Sequence, residues 1–413
     1  MVKNLFLFKT LFVLLLVVSL LFDSFEAVII LSFLLFILLL SSSKTFISIN
    51  FLNNLSPLIG ILLIAILGAF FRKSDFIFIL KDFLYILKPV LFLLIGYLIS
   101  KKINDRNTFF KIIIFTATGF AVYHIFQFLI YISQMSSFSM NNMRSAIGTD
   151  NFLELFALAI IISKTQHEGL TIKYLRLITI VLAISFLLYF SRTMFALIII
   201  VSLAFLGYLR ISKKGLRYIF LGLISLALFY TYLFSVNIPR DSNSTLDNFL
   251  YKLKLAPAEI FISQESFDIS NHAQLWDHWR AYEASKAISQ LNEQGIVAWS
   301  LGLGAGSLVD LDFYAPLSDD PKGMRYISIL HNGYVFVLYK TGVLGVMFYL
   351  LFILGNYLAY KKSKFRNSPL ANMIFGIVLF YISTSLVING IYNLSDITTL
   401  LLGGILFLIQ RNQ

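Results

Sequence analysis

Uncharged apolar runs of nearly membrane-crossing length recur through this chain and constrain its fold more than any other feature. Residues 11–22 and 27–40 contain no Asp, Glu, Lys or Arg, and each approaches the roughly 20 residues that carry a helix across a bilayer. Comparable runs lie near 5–22, 27–41, 55–71, 83–100, 109–132, 151–163, 174–190, 193–209, 217–236, 331–360, 370–390 and 394–410, about twelve in total. A chain that is 58% hydrophobic and 13% charged could not form a soluble domain of this size without exposing large apolar patches. The strand-length alternation of a β-barrel is missing. The expected fold is therefore all-α: a polytopic membrane protein of about twelve transmembrane helices.

The formal charge of +12 would suggest nucleic acid in a soluble protein, but most of the basic residues sit in short loops and so report orientation. The expected partner is the lipid bilayer, with no nucleic acid. Lys101, Lys102 and Arg106 form one cluster; Lys164, Lys173 and Arg176 a second; Arg210, Lys213, Lys214 and Arg217 a third; Lys361, Lys362, Lys364 and Arg366 a fourth. By the positive-inside bias these loops and both termini are cytoplasmic. Arg72, Lys73 and Lys81 break the pattern, in company with Asp75 and Asp82. Met1-Val2-Lys3 and the apolar run behind it look like a signal peptide, but no small-residue cleavage site precedes Asp23, so the run is read as the first span. With no cysteine, disulfides, thiolate nucleophiles and Cys-based metal sites are all excluded.

The chain divides into an N-terminal transmembrane bundle (1–236), an outer interval (237–330) between the ninth and tenth spans, and C-terminal transmembrane helices (331–413). The interval is too long to be a plain connector. It carries Trp276, Trp279, Tyr282, Ala287 and Ile288 at helical spacing, then Gly302-Leu303-Gly304-Ala305-Gly306. Roughly two or three helices lying over the outer ends of the spans are expected there. Neither a repeat of fixed period nor a matched pair of broken helices, the usual traces of a secondary transporter, is visible.

His331 and Asn332 stand where the polar interval meets the tenth apolar run. The free N–H groups and positive dipole end of a helix starting there attract anions, and a neutral imidazole there is suited to act as a general base. Gly333 leaves room for a bulky substrate. The plainer alternative for His331 is an interfacial anchor. Arg192 is an outward-facing cation between two apolar runs, placed either to snorkel or to bind an anion, and its planar fork suits phosphate oxygens. Arg144 is the basic residue of the preceding outer loop, while Arg280 and Arg325 in the interval are weaker candidates for the same place. The acidic pairs Asp310 with Asp312, Asp319 with Asp320, and Asp23 with Glu26 have the look of metal ligands, but such pairs are common in solvated loops and no metal site is assigned. Gly302, Gly304 and Gly306 lack the βαβ context of a dinucleotide fingerprint and read as a turn.

His331-Asn332 at the mouth of a late span, followed by Gly342 and Gly345, resembles the signature of the O-antigen ligase and O-antigen polymerase superfamily of bacterial envelope glycan enzymes. Trp279-Arg280-Ala281, leading into 302–306, is similar to that family's helix before its Gly-rich turn. Ser191-Arg192 resembles its arginine at a periplasmic span end, and 144–148 its basic outer loop. The resemblance covers most of 144–354; it departs at Asp277 and His278, where a basic residue is expected, and in the Asp-rich segment 310–320. It implies a GT-C-like, inverting glycosyltransferase of the bacterial inner membrane that uses no metal and no cofactor. Such an enzyme takes a glycan from an undecaprenyl-pyrophosphate donor and passes it to a hydroxyl of a glycan or glycolipid acceptor on the periplasmic face. His331 would then be catalytic, Arg192, Arg144, Arg280 and Arg325 would bind pyrophosphate, Asn332 would contact substrate, and Trp276, Trp279 and Tyr314 could stack on sugars.

Two rivals come from other classes. A lipid-linked glycan flippase or exporter needs a polar path through the membrane, for which Lys88 and Lys340 are the main candidates. A scaffold for envelope assembly needs no chemistry from His331.

Overall fold

Helices begin here where a short polar side chain precedes an apolar run. Ser48 accepts a hydrogen bond from the Phe51 N–H, Asn151 from Leu153 and Glu154, Ser191 from Met194, Ser212 from Gly215 and Ser368 from Ala371, each satisfying an N–H that the helix itself leaves unpaired. The computed structural model describes residues 2–21, 24–41, 47–72, 74–134, 140–148, 150–163, 171–210, 212–240, 245–257, 272–317, 322–362 and 368–411.

The first ten helices are α1 (Val2–Leu21), α2 (Phe25–Ser41), α3 (Ile49–Phe70), α4 (Phe76–Ile103), α5 (Arg106–Ser133), α6 (Met140–Ile147), α7 (Phe152–Ile162), α8 (Leu175–Leu188), α9 (Arg192–Phe205) and α10 (Lys213–Ser235). The interval that follows contributes α11 (Thr245–Leu255), α12 (His272–Asp277), α13 (Trp279–Glu293), α14 (Gly295–Leu301), β1 (Val309–Ala315) and β2 (Met324–Ile327). The chain then forms α15 (Gly333–Lys362), α16 (Pro369–Val387) and α17 (Thr398–Arg411). Among the described residues, α3, α4, α5, α10, α15 and α16 are long and apolar enough to cross a membrane, and α1, α2, α7, α8, α9 and α17 are shorter apolar helices. This is an all-α, multi-pass membrane protein that carries, among the described residues, one small hairpin.

The hairpin was not expected. Along β1, Val309, Leu311 and Ala315 are buried while Asp310 and Asp312 point away from the core, the period-two alternation of a half-buried strand. The two aspartates are therefore the outer face of a strand and not a solvated loop. Asp310 is bound by Arg325 and Asp312 by Lys286. Asp319, Asp320 and Asp23, together with the basic residues Lys73, Lys164, Lys364 and Arg366, lie outside the described residues.

The Gly-rich segment is a turn inserted into a break in α15. At Gly342 the backbone leaves helical geometry, with φ 64° and ψ −167°, a left-handed region that suits glycine. The turn docks just before that break. Leu303 N–H donates to the Tyr339 carbonyl at 2.8 Å, Gly304 N–H to the Lys340 carbonyl at 2.9 Å, and Ala305 N–H to Ala65 of α3 at 2.8 Å. The approach leaves no space for a side chain, since a Cβ on Gly304 would lie 2.3 Å from the backbone of Gly68 and Ala69. Asp82 of α4 completes the joint by accepting from Gly306 N–H at 2.6 Å and from Lys340 Nζ at 2.5 Å, and Lys340 also donates to the Ser307 carbonyl at 2.5 Å. Lys88 similarly serves the backbone carbonyls of Asn393 and Leu394, which a low-dielectric interior would otherwise leave unpaired. Both lysines expected to mark a transport path are thus bound inside the fold.

Contacts sort the helix ends onto two sides. With the interval lie the α3–α4 turn, through Arg72 and Gln294 at 3.1 Å; the α8–α9 turn, through Arg192 and the Lys252 carbonyl; the end of α10, through Lys254 and the Val236 carbonyl; and the α16–α17 turn, through Asn389 and the His331 carbonyl. At the opposite end Ser48 and Tyr97 meet Gln410, Arg411 meets the Asn104 carbonyl, and Arg210 meets Asn372. Arg72, which broke the charge pattern, is thus on the interval side because it ties the α3–α4 turn to Gln294.

Lys340→Met strands the Asp82 carboxylate in the interior and is expected to destabilise the protein by about 3–5 kcal/mol, read as a lower unfolding temperature in detergent. Wild-type stability would remove the joint from this account. The absence of native cysteine allows sidedness to be read from single cysteines. Phe71→Cys and Tyr314→Cys, at residues 83% and 62% exposed, should react with an impermeant maleimide from one side, and Lys213→Cys and Arg411→Cys only from the other. Labelling of all four from one side would refute the layout.

Candidate functional site

His331 is held from three directions. Its own helix starts at the next residue but one, where Asn332 is the N-cap, with Oδ1 accepting from Val335 N–H at 3.1 Å and its carbonyl from Phe336 N–H at 2.8 Å. On one side Glu283 of α13 accepts both the His331 N–H at 3.2 Å and ring Nδ1–H at 2.7 Å. On the other, Asn389 N–H donates to the His331 carbonyl at 2.5 Å. Asn389 sits at φ 66° at the end of α16. Its backbone approaches so closely that a Cβ on Gly333 would lie 2.9 Å from it. The space beside the histidine, expected to admit substrate, is therefore filled by the α16–α17 turn.

This clamp sets the chemistry of the ring. A carboxylate only accepts hydrogen bonds, so Glu283 fixes the hydrogen of a neutral imidazole on Nδ1 and leaves the Nε2 lone pair free to accept a proton. Glu283 is buried with a side chain 3% exposed, while the His331 side chain is 47% exposed. A buried carboxylate thus orients an accessible base and can stabilise the imidazolium that forms when the base takes a proton.

One helical turn before Glu283 on the same face of α13 stands Arg280. Its field reaches Arg144 of α6, as does that of Arg192 at the start of α9. Burial pushes the Arg144 guanidinium below its ordinary value; Asp150 opposes that shift, and the cations Arg192 and Arg280 add to it. Arg144 Nε is buried and makes no hydrogen bond among the described residues. Arg192 donates to the Lys252 carbonyl, which aims its guanidinium over α11. Three guanidinium groups from three separate segments therefore share one region with one carboxylate, and one of them, Arg280, stands one helical turn from Glu283. Such a set suits an anion with several oxygens.

Arg325 is placed differently. Its fork is bidentate to Asp310, Nε to Oδ1 at 2.8 Å and Nη2 to Oδ2 at 2.9 Å, and it holds the Asp310 carboxyl below the usual carboxylate range. Its place is the hairpin, where it fixes β2 against β1. Trp279 is buried between Trp276, Tyr282 and Phe313, so it is core of the interval, while Trp276 and Tyr314 remain exposed. Burial pushes the Tyr282 hydroxyl up to about 12, keeping it a neutral donor to the Leu311 carbonyl at 2.5 Å. Asp277, where the family resemblance lapses, is bound by Arg240 at 3.1 Å and by the Tyr251 hydroxyl at 3.3 Å, which ties α12 to α11.

Beyond Glu283 the same face of α13 continues through Lys286, Gln290 and Glu293 into a cleft of about 470 Å³, whose walls include Arg72, Gln294 and Asp312. Polar side chains of both signs dominate it. The residues missed in the sequence are Glu283, Asn389 and, in this cleft, Lys286, Gln290, Glu293 and Gln294. Glu283 carried one usable signal, a carboxylate three positions after Arg280 on the helix that also carries Trp279 and Tyr282. Asn389 carried none. The chain matches no family model and no curated protein.

Proposed function

We propose that this protein is an inverting membrane glycosyltransferase that moves a glycan from undecaprenyl pyrophosphate to a hydroxyl of a glycan or glycolipid acceptor, as an O-antigen ligase or polysaccharide polymerase does. The observation that carries the proposal is the junction of two devices within a turn of α13: a cation cluster of Arg144, Arg192 and Arg280, and a buried Glu283 that orients an exposed His331. The first is built for a leaving group that gains negative charge, the second for a hydroxyl that must lose a proton.

In this mechanism the donor pyrophosphate lies against the three guanidiniums. The acceptor saccharide lies in the cleft along α13, and its hydroxyl reaches His331 Nε2. As the hydroxyl oxygen bonds to the anomeric carbon, its proton passes to Nε2 and the bond to the pyrophosphate oxygen breaks, with its electron pair remaining on that oxygen. The arginines stabilise the charge that builds there, and Glu283 stabilises the imidazolium until it releases its proton to water. Attack opposite the leaving group inverts the anomeric centre. Asn332 acts by capping the helix whose dipole faces the anion. Undecaprenyl donors are presented at the periplasmic face of the bacterial inner membrane, so the interval is assigned to that face and both termini to the cytoplasm. The basic clusters at Lys101, Lys102, Lys213 and Lys214 on the other side support that orientation. A flippase reading loses its two lysines to Asp82 and to the carbonyls of residues 393 and 394.

The test is transfer by purified protein in detergent from a defined pyrophosphate-linked donor to a hydroxyl acceptor, read by mass spectrometry of the product. His331→Ala and Arg192→Ala should insert and fold normally but lose transfer by about 10²-fold or more; near-normal products from both would end the proposal. Glu283→Gln keeps the shape but not the charge, and is expected to reduce the rate by at least about tenfold with little change in donor affinity. An unaltered rate would mean that Glu283 does not orient the base.

A further inference from the structure

On the side opposite the interval, the turn between α9 and α10 folds against the start of α16 and encloses an open cavity of about 500 Å³. Its walls include Tyr208, Arg210, Ser212, Lys214, Tyr218 and Pro369. The proposed transfer reaction uses none of them.

Arg210 is set by construction. Its Nε donates to Asn372 Oδ1 at 3.1 Å, and Asn372, fully buried in the first turn of α16, donates in turn to the Phe205 carbonyl at 3.2 Å. The guanidinium lies so close over Gly207 that a Cβ there would sit 2.7 Å from Nε, and the Arg210 carbonyl would lie 1.8 Å from a Cβ on Gly215. Two glycines and a buried amide thus fix the direction of one cation, and Lys214 adds a second. The helices α10 and α16 both begin here, at Ser212 and Ser368, so two positive dipole ends meet at the same cavity. Tyr208 and Tyr218 are edge-on, with ring centroids 5.7 Å apart and 45% and 39% exposed, in the manner of aromatic residues at a headgroup boundary. Further along the face of α10 that carries Lys214 and Tyr218, Leu221 and Leu228 follow at seven-residue steps from Lys214 and are open to lipid tails.

We propose that this cavity binds the phosphate of an anionic phospholipid, with Arg210 and Lys214 on the phosphate oxygens, Tyr208 and Tyr218 around the glycerol, and the acyl chains along α10. A free phosphate would satisfy the two cations but would make no use of the aromatic pair or the lipid-facing flank. The site is independent of the glycan-transfer reading and would survive its failure.

Native mass spectrometry of the full chain released from detergent, titrated with phosphatidylglycerol, phosphatidylcholine or inorganic phosphate, tests it. One phosphatidylglycerol should bind about tenfold or more tightly than phosphatidylcholine. Lys214→Met and Arg210→Met should each weaken that binding about tenfold, and Lys101→Met, a basic residue on the same side away from the cavity, should leave it unchanged. Arg210 also contacts the bundle, so Lys214→Met decides the matter if Arg210→Met does not fold. Equal binding of the two lipids, undiminished binding by Lys214→Met, or displacement of phosphatidylglycerol by equimolar inorganic phosphate would overturn the assignment.

Discussion

The carbonyls of Tyr339 and Lys340 in α15 receive N–H groups from the 302–306 turn, and the rest of the interval is positioned by that exchange. A helix that breaks inside a membrane protein exposes backbone groups that lipid cannot satisfy. Here the break at Gly342 and the turn before it complement each other. The Asp82–Lys340 pair then neutralises the charge brought into the joint, and Gly306 N–H completes the carboxylate. Because α13 and α14 lead directly into this turn, docking it fixes the height and direction of α13 over the bundle. Glu283 is on α13 and His331 is at the start of α15, so the joint also sets the distance between carboxylate and imidazole.

The same geometry resolves an apparent conflict in the charge pattern. Arg72 lies in a short turn on the interval side, against the charge bias of the short loops, but it is engaged with Gln294 and borders the cleft along α13. Cations on that side are placed by specific contacts: Arg72 by Gln294, Arg325 by Asp310, Lys286 by Asp312 and Arg192 by a carbonyl. On the opposite side the basic residues Lys101, Lys102, Arg106, Lys213, Lys214 and Lys361 lie at helix ends, where orientation signals are read. Arg210 is held there by a buried amide and two close glycines, and Arg411 by the Asn104 carbonyl.

Three deeply placed charges meet a backbone group or an opposite charge: Lys88 meets carbonyls, Asp82 meets Lys340 and an N–H, and Glu283 meets the N–H and ring of residue 331. Of these, only Glu283 has a partner that is half open to solvent. This asymmetry distinguishes a pair that can exchange protons with an incoming molecule from pairs that serve only to hold helices together.

Local pattern was enough to read that apolar helices carry this chain across a membrane, because apolar runs act over a few neighbouring residues. It also isolated His331, Arg144 and Arg192 as polar groups with no local reason to be where they are. It did not reveal the hairpin, whose alternation is short and was masked by two aspartates, nor the partners of those polar groups. Glu283 meets His331 across 48 residues, and Asp82 meets Lys340 across 258. Such pairs depend on how helix faces register when the bundle packs, which no window along the chain contains. The sequence alone therefore determined that this protein spans a membrane and which residues were chemically exceptional; only the tertiary structure decided which of them face one another.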